Sequence, residues 1–441
     1  MRDAQELPHS LDAERAVLGA ILTNPDAIYL VGGMVEPGDF HRPAHQQIYG
    51  AQRALAERGV PCDFLTLTHE LTKRGELEEV GGPAYVSGLT EGVPKSTNAE
   101  YYARIVREKS SMRSLIFAAD RVLKSAYAAT ADSKDVLEEA ERTLLQVSEA
   151  ASAGDLLLAG QIVPETMALL ERIAQTRKAV TGVSTGIGTL DYFTRGLHPS
   201  NLIVVGGRPG EGKSALALQI ALHVAKEAPV AFFSMEMNRE EVMTRALAQV
   251  ARVDHHMMMQ GKLSELEQRL VAEARDTVEQ LPIAFDDSAS LSPFQIRSRA
   301  KTMQTRRGLG LVVVDYLQLL QRPRHAHSRE EAVADNTWAL KVLAGELKVP
   351  VMALSQLNRS SAKDGSRPTL TDLRESGAVE QHANVVLLIY KPASPDGAVA
   401  AAPPVELIIA KQRNGPQGVH VDLTFRGPWM RFEEREWRHS A

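Results

Sequence analysis

Between the apolar run Leu202–Val205 and a stretch of helical spacing, the chain reads GGRPGEGKSALAL over Gly206–Leu218. No other feature limits the fold as much. Gly207 and Gly212 stand five positions apart and are followed by Lys213-Ser214. Glycines at that spacing let a backbone curl until consecutive N–H groups point inward at an anion, and the following helix adds the positive end of its dipole. A strand, a phosphate-cradling loop and a helix in this order belong to an α/β domain built on a parallel sheet. Gly207, Arg208, Pro209, Gly210, Glu211, Gly212, Lys213, Ser214 and Ala215 are the expected nucleotide-binding set. Lys213 is expected to reach the β- and γ-phosphates, and Ser214 to hold Mg²⁺.

The rest of the chain from about residue 180 onward fits that domain. Short apolar runs recur at 202–206, 230–234, 283–285, 311–315, 351–355, 385–390 and 405–411, separated by helical segments. Continuous apolar strands of this kind are buried on both faces, as in a mostly parallel sheet; the segments after about 405 read as antiparallel. Before residue 180 only amphipathic helices are legible. LDAERAVLGAILTN places Leu11, Val17, Leu18, Ile21 and Leu22 on one face, and further helices are expected at 45–57, 66–74 and 98–108. Asp132-Ser133 reads as the cap of another, with a stripe at Val136, Leu137, Ala140, Leu144 and Val147. An isolated amphipathic helix at about 162–177, with Ile162, Met167, Leu170 and Ile173, needs a partner to cover its stripe. The expected organisation is an all-α domain over 1–150, a linker with one helix over 151–180, and an α/β domain over 181–441.

Three more strand ends carry polar groups. Asp315 closes LVVVD, a carboxylate at the tip where parallel sheets bind ligands, placed to reach the metal. Glu236 lies two residues past the strand VAFFS. It reads equally as the group that activates an attacking water and as the start of the next helix. Gln356, after VMALS, suits sensing of a γ-phosphate. Their convergence with Lys213 on one sheet edge says more than any single match.

The basic segments are ambiguous by themselves. Lys411 and Arg413 in KQRN alternate along an extended strand, so they aim two cations at one anion or end a solvated strand. RPRHAHSR carries Arg322, Arg324 and Arg329 in a loop able to track a phosphodiester backbone. QIRSRAKTMQTRR is a basic helix of the kind that is usually just solvated. A net charge of −5 does not advertise nucleic acid, though a small basic surface can sit on an acidic body. One cysteine, Cys62, rules out a disulfide framework within the chain and suits a reducing compartment. With no 18-residue apolar run and no apolar core near MRDAQELPHS, the expectation is a soluble cytoplasmic protein without a membrane partner.

Taken together, the segments resemble the replicative DNA helicases of the DnaB type along essentially the whole chain. PHSLDAERAVLGAIL, DFLTLTHEL and VGGPAYVSGL are similar to that family's helical collar. GGRPGEGKSALAL, FSMEM, VVVDYLQLL, ALSQLNR, DLRESGAVEQ and IIAKQRNGP resemble its motor motifs in order. The last two are more specific than the phosphate loop, because ordinary phosphate-loop proteins lack them. The resemblance implies a RecA-like motor using ATP and Mg²⁺, in a homohexameric ring that travels 5′→3′ on single-stranded DNA, with a primase and a loader as partners. It implies Glu236 as the water-activating carboxylate, Arg245 as a nucleotide contact, and Arg413, with Lys411 beside it, as the finger inserted into a neighbour's site. It also implies Arg374, Glu375 and Gly377 as the strand-gripping stretch, with Gly377 allowing close main-chain approach. The linker helix would dock on the adjacent motor. His382 stands where an acidic residue is expected, Trp338 and Gly345 where arginines are common, and the loop from Asn358 to Arg367 is short. A RecA-type recombinase would share the motor but not the collar, and a loader or scaffold ring would not need both Glu236 and Arg413.

Overall fold

The computed structural model describes residues 6–91, 98–128, 158–176, 180–323, 326–357, 366–392 and 403–435, together with positions 136, 139, 140 and 143. Two compact units emerge, Met1–Leu158 and Ala159–Ala441.

The first unit is helical throughout its described residues, with helices at Leu11–Thr23, Ala27–Val31, Pro43–Glu57, Phe64–Arg74, Gly82–Gly88 and Ala99–Ala128. Ser10 caps the first by accepting from Ala13 N, and Asp63 caps the fourth by accepting from Thr66 N. Val17, Leu18 and Ile21 are fully buried, as their spacing predicts, whereas Leu11 at the first helical position faces solvent. They pack with Phe40, Ile48, Tyr49, Leu67 and Leu71 into one core. The buried carboxylate Glu14 is satisfied within it. Glu14 accepts from His41 N at 2.6 Å, from Arg42 N at 3.4 Å and shares a 2.7 Å bond with His45 Nδ1. His45 Nε2 in turn meets the Tyr85 hydroxyl at 2.7 Å. The helix expected after Asp132-Ser133 lies mostly outside the described residues.

The second unit opens with the helix Ala159–Thr176. Its Ile162, Val163, Met167 and Leu170 are all about half exposed, so the stripe that the spacing predicts is uncovered within this unit. A nine-stranded sheet follows: β1 (Leu202–Gly207), β2 (Val230–Ser234), β3 (Ile283–Asp286), β4 (Leu311–Asp315), β5 (Val351–Gln356), β6 (Val385–Tyr390), β7 (Pro404–Gln412), β8 (Val419–Arg426) and β9 (Arg431–Glu434). The order across the sheet is β3-β2-β4-β5-β1-β6-β7-β8-β9. The first six in that order are parallel and the last three antiparallel, so β6 is where the direction changes. Helices cover both faces over two apolar clusters, which is why strands such as β1, β2 and β4 are buried at every position.

Candidate active site

The turn after β1 has the curl that its glycines predict. Gly210 and Gly212 take φ of +77° and +95°, which side chains with a Cβ rarely adopt. At Gly212 a Cβ would also come within 2.9 Å of Phe432 Cζ. The loop delivers the chain into the helix Lys213–Val224, so the amide-rich helix start faces the same space. Glu211 folds back into the loop, its carboxylate accepting from Arg208 N at 2.5 Å. Gly207, Arg208 and Glu211 therefore brace the base of the loop. Pro209, Gly210, Gly212, Lys213, Ser214 and Ala215 line a cavity of about 380 Å³.

The opposite wall is made by strand ends, as the parallel sheet requires. In register, Gly207 is level with Gln356 and Ser234 with Asp315. Glu236 is exposed to the cavity, just past the β2 tip. Its sequence left two readings open. The helix that follows is capped by Asn238, which accepts from Glu241 N at 2.8 Å, so Glu236 has no capping duty. Gln356 lines the cavity from β5, and its backbone N donates to Gln318 Oε1 at 3.3 Å. Arg245 reaches the same cavity, half-buried, from the helix Arg239–Ala251.

Charge is arranged around a half-buried lysine and a buried aspartate. Lys213 Nζ donates to the Gly207 and Arg208 carbonyls at 2.9 and 3.2 Å. Burial pulls its ammonium below the usual lysine range, against the pull of Asp315, Glu211 and Glu236. Asp315 is 1% exposed, and neither carboxylate oxygen has a hydrogen-bond partner. Burial pushes its carboxyl up to about 6; Glu236 adds to this, while Ser214, Lys213 and Arg245 work against it. An orphaned buried carboxylate beside a hydroxyl is an oxygen donor pair that fits a hard cation such as Mg²⁺. Among the described residues no cluster of three His, Cys, Asp or Glu side chains could hold a metal alone. That suits an ion that takes most of its remaining ligands from phosphate and water.

Part of the cavity carried no sequence motif. Tyr316, Phe425 and Met430 line it with apolar surface. Lys391 bonds the Gly210 carbonyl at 3.1 Å and sits 4.4 Å from the Phe425 ring centre. Tyr316 directly follows Asp315, but Phe425 on β8 and Met430 in the turn between β8 and β9 come more than 200 residues after the loop, and no local pattern announces them.

Lys411 and Arg413 are elsewhere. Gln412 pairs with Val385, which is itself level with Ile203, so the end of β7 lies level with the start of β1, across β6. The phosphate loop leaves the other end of β1, roughly 17 Å away along the strand at about 3.3 Å per residue. Both cations turn to the C-terminal end of the helix Gly377–His382. Arg413 Nη2 donates to Gln381 O at 2.9 Å, and Lys411 Nζ bonds the Glu380 carbonyl. Burial pulls the Lys411 ammonium down, as does Arg413. Arg413 itself is exposed.

Among the remaining basic residues, Arg322 donates twice to Ala326 O, at 2.9 and 2.7 Å, and so ties its loop to itself. Arg329 begins the helix Arg329–Leu347 and is exposed; Arg324 lies outside the described residues. In the basic helix Pro293–Arg307, Arg297 and Arg299 pair with Glu346 and Asp286. Arg374 and Glu375 fall on the 3-10 stretch Leu370–Ser376, and their side chains are outside the described residues. Gly377 has an ordinary helical φ of −50°, and a Cβ there would meet nothing within 4 Å. Any need for close approach at Gly377 therefore comes from outside the chain. Nothing in the structure asks for glycine at position 345 either.

A family model described as the DnaB-like helicase C terminal domain matches residues 182–434, and one described as the DnaB-like helicase N terminal domain matches residues 6–108. The chain is 38% identical over 435 residues to the replicative DNA helicase DnaB of Geobacillus stearothermophilus, spanning 98% of this chain and 96% of that one. It is 37% identical over 435 residues to the replicative DNA helicase DnaC of Bacillus subtilis (strain 168), with the same coverage. A solved structure of a DnaB-like replicative helicase, described with its interactions with primase, superposes with a TM-score of 0.76 at 29% identity. That match covers 97% of this chain and 100% of the other.

Proposed function

The chain belongs to the DnaB-like replicative helicase family and is an ATP-hydrolysing DNA helicase; from that premise we propose that it works as a homohexameric ring whose nucleotide sites are shared between neighbouring copies. One copy supplies the loop amides and Lys213 for the β- and γ-phosphates, with Arg245 as a further nucleotide contact. The base rests against Tyr316, Phe425 and Met430. Ser214 and Asp315 are the residues that would hold Mg²⁺, which when bound neutralises charge on the phosphate oxygens. Glu236 orients a water in line with the γ-phosphate and takes its proton. Gln356, between Gly207 and the cavity, reports whether the γ-phosphate is still there. The next copy inserts Arg413, with Lys411 beside it, to stabilise the charge that develops during transfer.

The observation that carries this reading is the place of Arg413, at the sheet edge opposite its own phosphate loop. A cation so placed cannot serve its own site, but a ring brings that edge against a neighbour. In that ring the collar spans 1–150 and the motor 181–441, and the uncovered stripe of the linker helix docks on the adjacent motor. Arg374, Glu375 and Gly377, with Arg322, Arg324 and Arg329, contact single-stranded DNA in the pore; six copies of a few cations suffice for a mildly acidic chain. Hydrolysis in sequence moves these segments 5′→3′ along the strand. A primase, as described for the solved relative, and a loader complete the assembly in the cytoplasm. Strand displacement on a forked duplex tests the reading: a 5′ tail should support ATP-dependent unwinding and single-stranded DNA should stimulate hydrolysis. Unwinding only from a 3′ tail, or strand exchange without unwinding, would contradict it.

A further inference from the structure

Two aromatic rings from neighbouring helices of the second unit lie against each other. The rings of Trp338 and His382 are 4.9 Å apart, tilted by 57°. Trp338 is on the helix Arg329–Leu347 and stays 54% exposed, a large apolar side chain that the unit's core does not need. His382 is the last residue of the helix Gly377–His382, directly after the carbonyls that hold Arg413 and Lys411.

The surrounding bonds give this contact a purpose. Arg413 is fixed twice to the segment 381–384: its Nη2 to Gln381 O at 2.9 Å and its backbone N to Asn384 O at 3.1 Å. The helix Arg329–Leu347 grips that same segment twice, one turn apart. Trp338 packs on His382, and Lys341 Nζ donates to Asn384 Oδ1 at 2.8 Å. Asn384 Oδ1 also accepts from Leu202 N at 3.0 Å, anchoring the segment to the start of β1. The Lys341 bond therefore fixes one end of the segment, and the ring pair fixes the other, where the Arg413 side chain is held. The last carbonyls of a six-residue helix have no partners of their own, so their aim depends on what pins that helix end. Aromatic pairs at this separation carry enough interaction to do so.

We propose that Trp338, acting through His382, is a positioning residue for Arg413. The proposal rests on the shared-site reading, in which Arg413 completes a neighbour's nucleotide site. The ring contact holds the Gln381 carbonyl, and through it the guanidinium, at the height from which it enters the next copy. It does so without an ion pair, so the contact does not weaken as salt rises.

The test compares steady-state ATP hydrolysis by the full-length chain carrying Trp338→Ala, Trp338→Phe, Arg413→Ala, or Trp338→Ala with Arg413→Ala. Trp338→Ala should lower kcat about two- to tenfold with the KM for ATP unchanged. Trp338→Phe keeps a ring and should recover most of the loss. The double variant should be no slower than Arg413→Ala alone, because the tryptophan has nothing left to position. A fall by the same factor in both backgrounds would mean a general packing role and would overturn the proposal. So would wild-type kcat in Trp338→Ala when Arg413→Ala turns over at a low residual rate, and that result leaves the shared site standing. Wild-type turnover in Arg413→Ala would instead remove the shared site and this proposal together.

Discussion

Two carboxylates in this molecule are equally buried and opposite in character. Glu14 in the helical unit and Asp315 in the motor are each 1% exposed. Burial pushes the Glu14 carboxyl up, but bonds from His45, His41 N and Arg42 N outweigh it and leave it below the usual glutamate range. Asp315 has no backbone or imidazole donor, only the Ser214 hydroxyl near enough to lower it, and is driven up to about 6. The helical unit spends its buried polar groups on its own stability. The motor leaves the Asp315 carboxylate, facing the nucleotide cavity, among its unsatisfied buried groups, in a folded state that bears the cost until a cation and phosphates arrive.

The sharpest way to break that contrast is Asp315→Asn. Removing the buried charge should raise the stability of the nucleotide-free motor by up to about 3 kcal/mol, since about two pH units separate its folded and ordinary carboxyl values. Hydrolysis should fall about a hundredfold or more. A variant that is both less stable and fully active would reverse the comparison. Thermal melts in chelator and ATPase assays in excess Mg²⁺ read the two halves separately.

An intermediate effect is expected at the apolar wall. Phe425→Ala removes a ring that lines the cavity and carries Lys391 above it. The KM for ATP should rise about tenfold with kcat little changed, because the base contacts are the same before and during transfer. An unchanged KM would remove Phe425 from the base seat.

The smallest effect on turnover, none at all, is expected from Glu14→Gln, which should cost the helical unit about 1–3 kcal/mol. The sign of the pH dependence follows from its depressed carboxyl. The stabilisation is complete above the ordinary glutamate value of 4.5 and is lost as pH falls through the lower folded value. Calorimetry of the full-length chain between about pH 5 and pH 3 should show the helical unit's transition falling with pH, and falling less in Glu14→Gln. Equal slopes in the two proteins would mean that other carboxylates carry the acid sensitivity.

Much of the motor was legible because its strands are buried on both faces. Continuous apolar runs at 230–234, 311–315 and 385–390 became β2, β4 and β6 with unchanged ends. Lys213, Glu236, Asp315 and Gln356 could be grouped because parallel strands put their C-terminal ends on one edge. The same logic did not reveal that KQRN leaves the sheet at the opposite edge, since that depends on the antiparallel pairing of β7 with β6. Nor could it find Phe425 and Met430. They reach the loop only because β8 and β9 fold back beside it, and strand order across a sheet is not written in any short segment. Leu11 was misjudged for a simpler reason: the first residue of a helix projects beyond the layer that covers the rest of its face.

The central claim is that one nucleotide site draws on two copies of the chain, and mixing tests it most directly. Lys213→Ala leaves Arg413 intact but disables its own phosphate loop, and Arg413→Ala does the converse. Each protein alone should hydrolyse ATP at no more than a small residual rate, and mixed rings should recover part of the activity, greatest near equal proportions. Intact mixed rings with no recovery at any ratio, or an Arg413→Ala protein that hydrolyses ATP at the wild-type rate, would contradict the account.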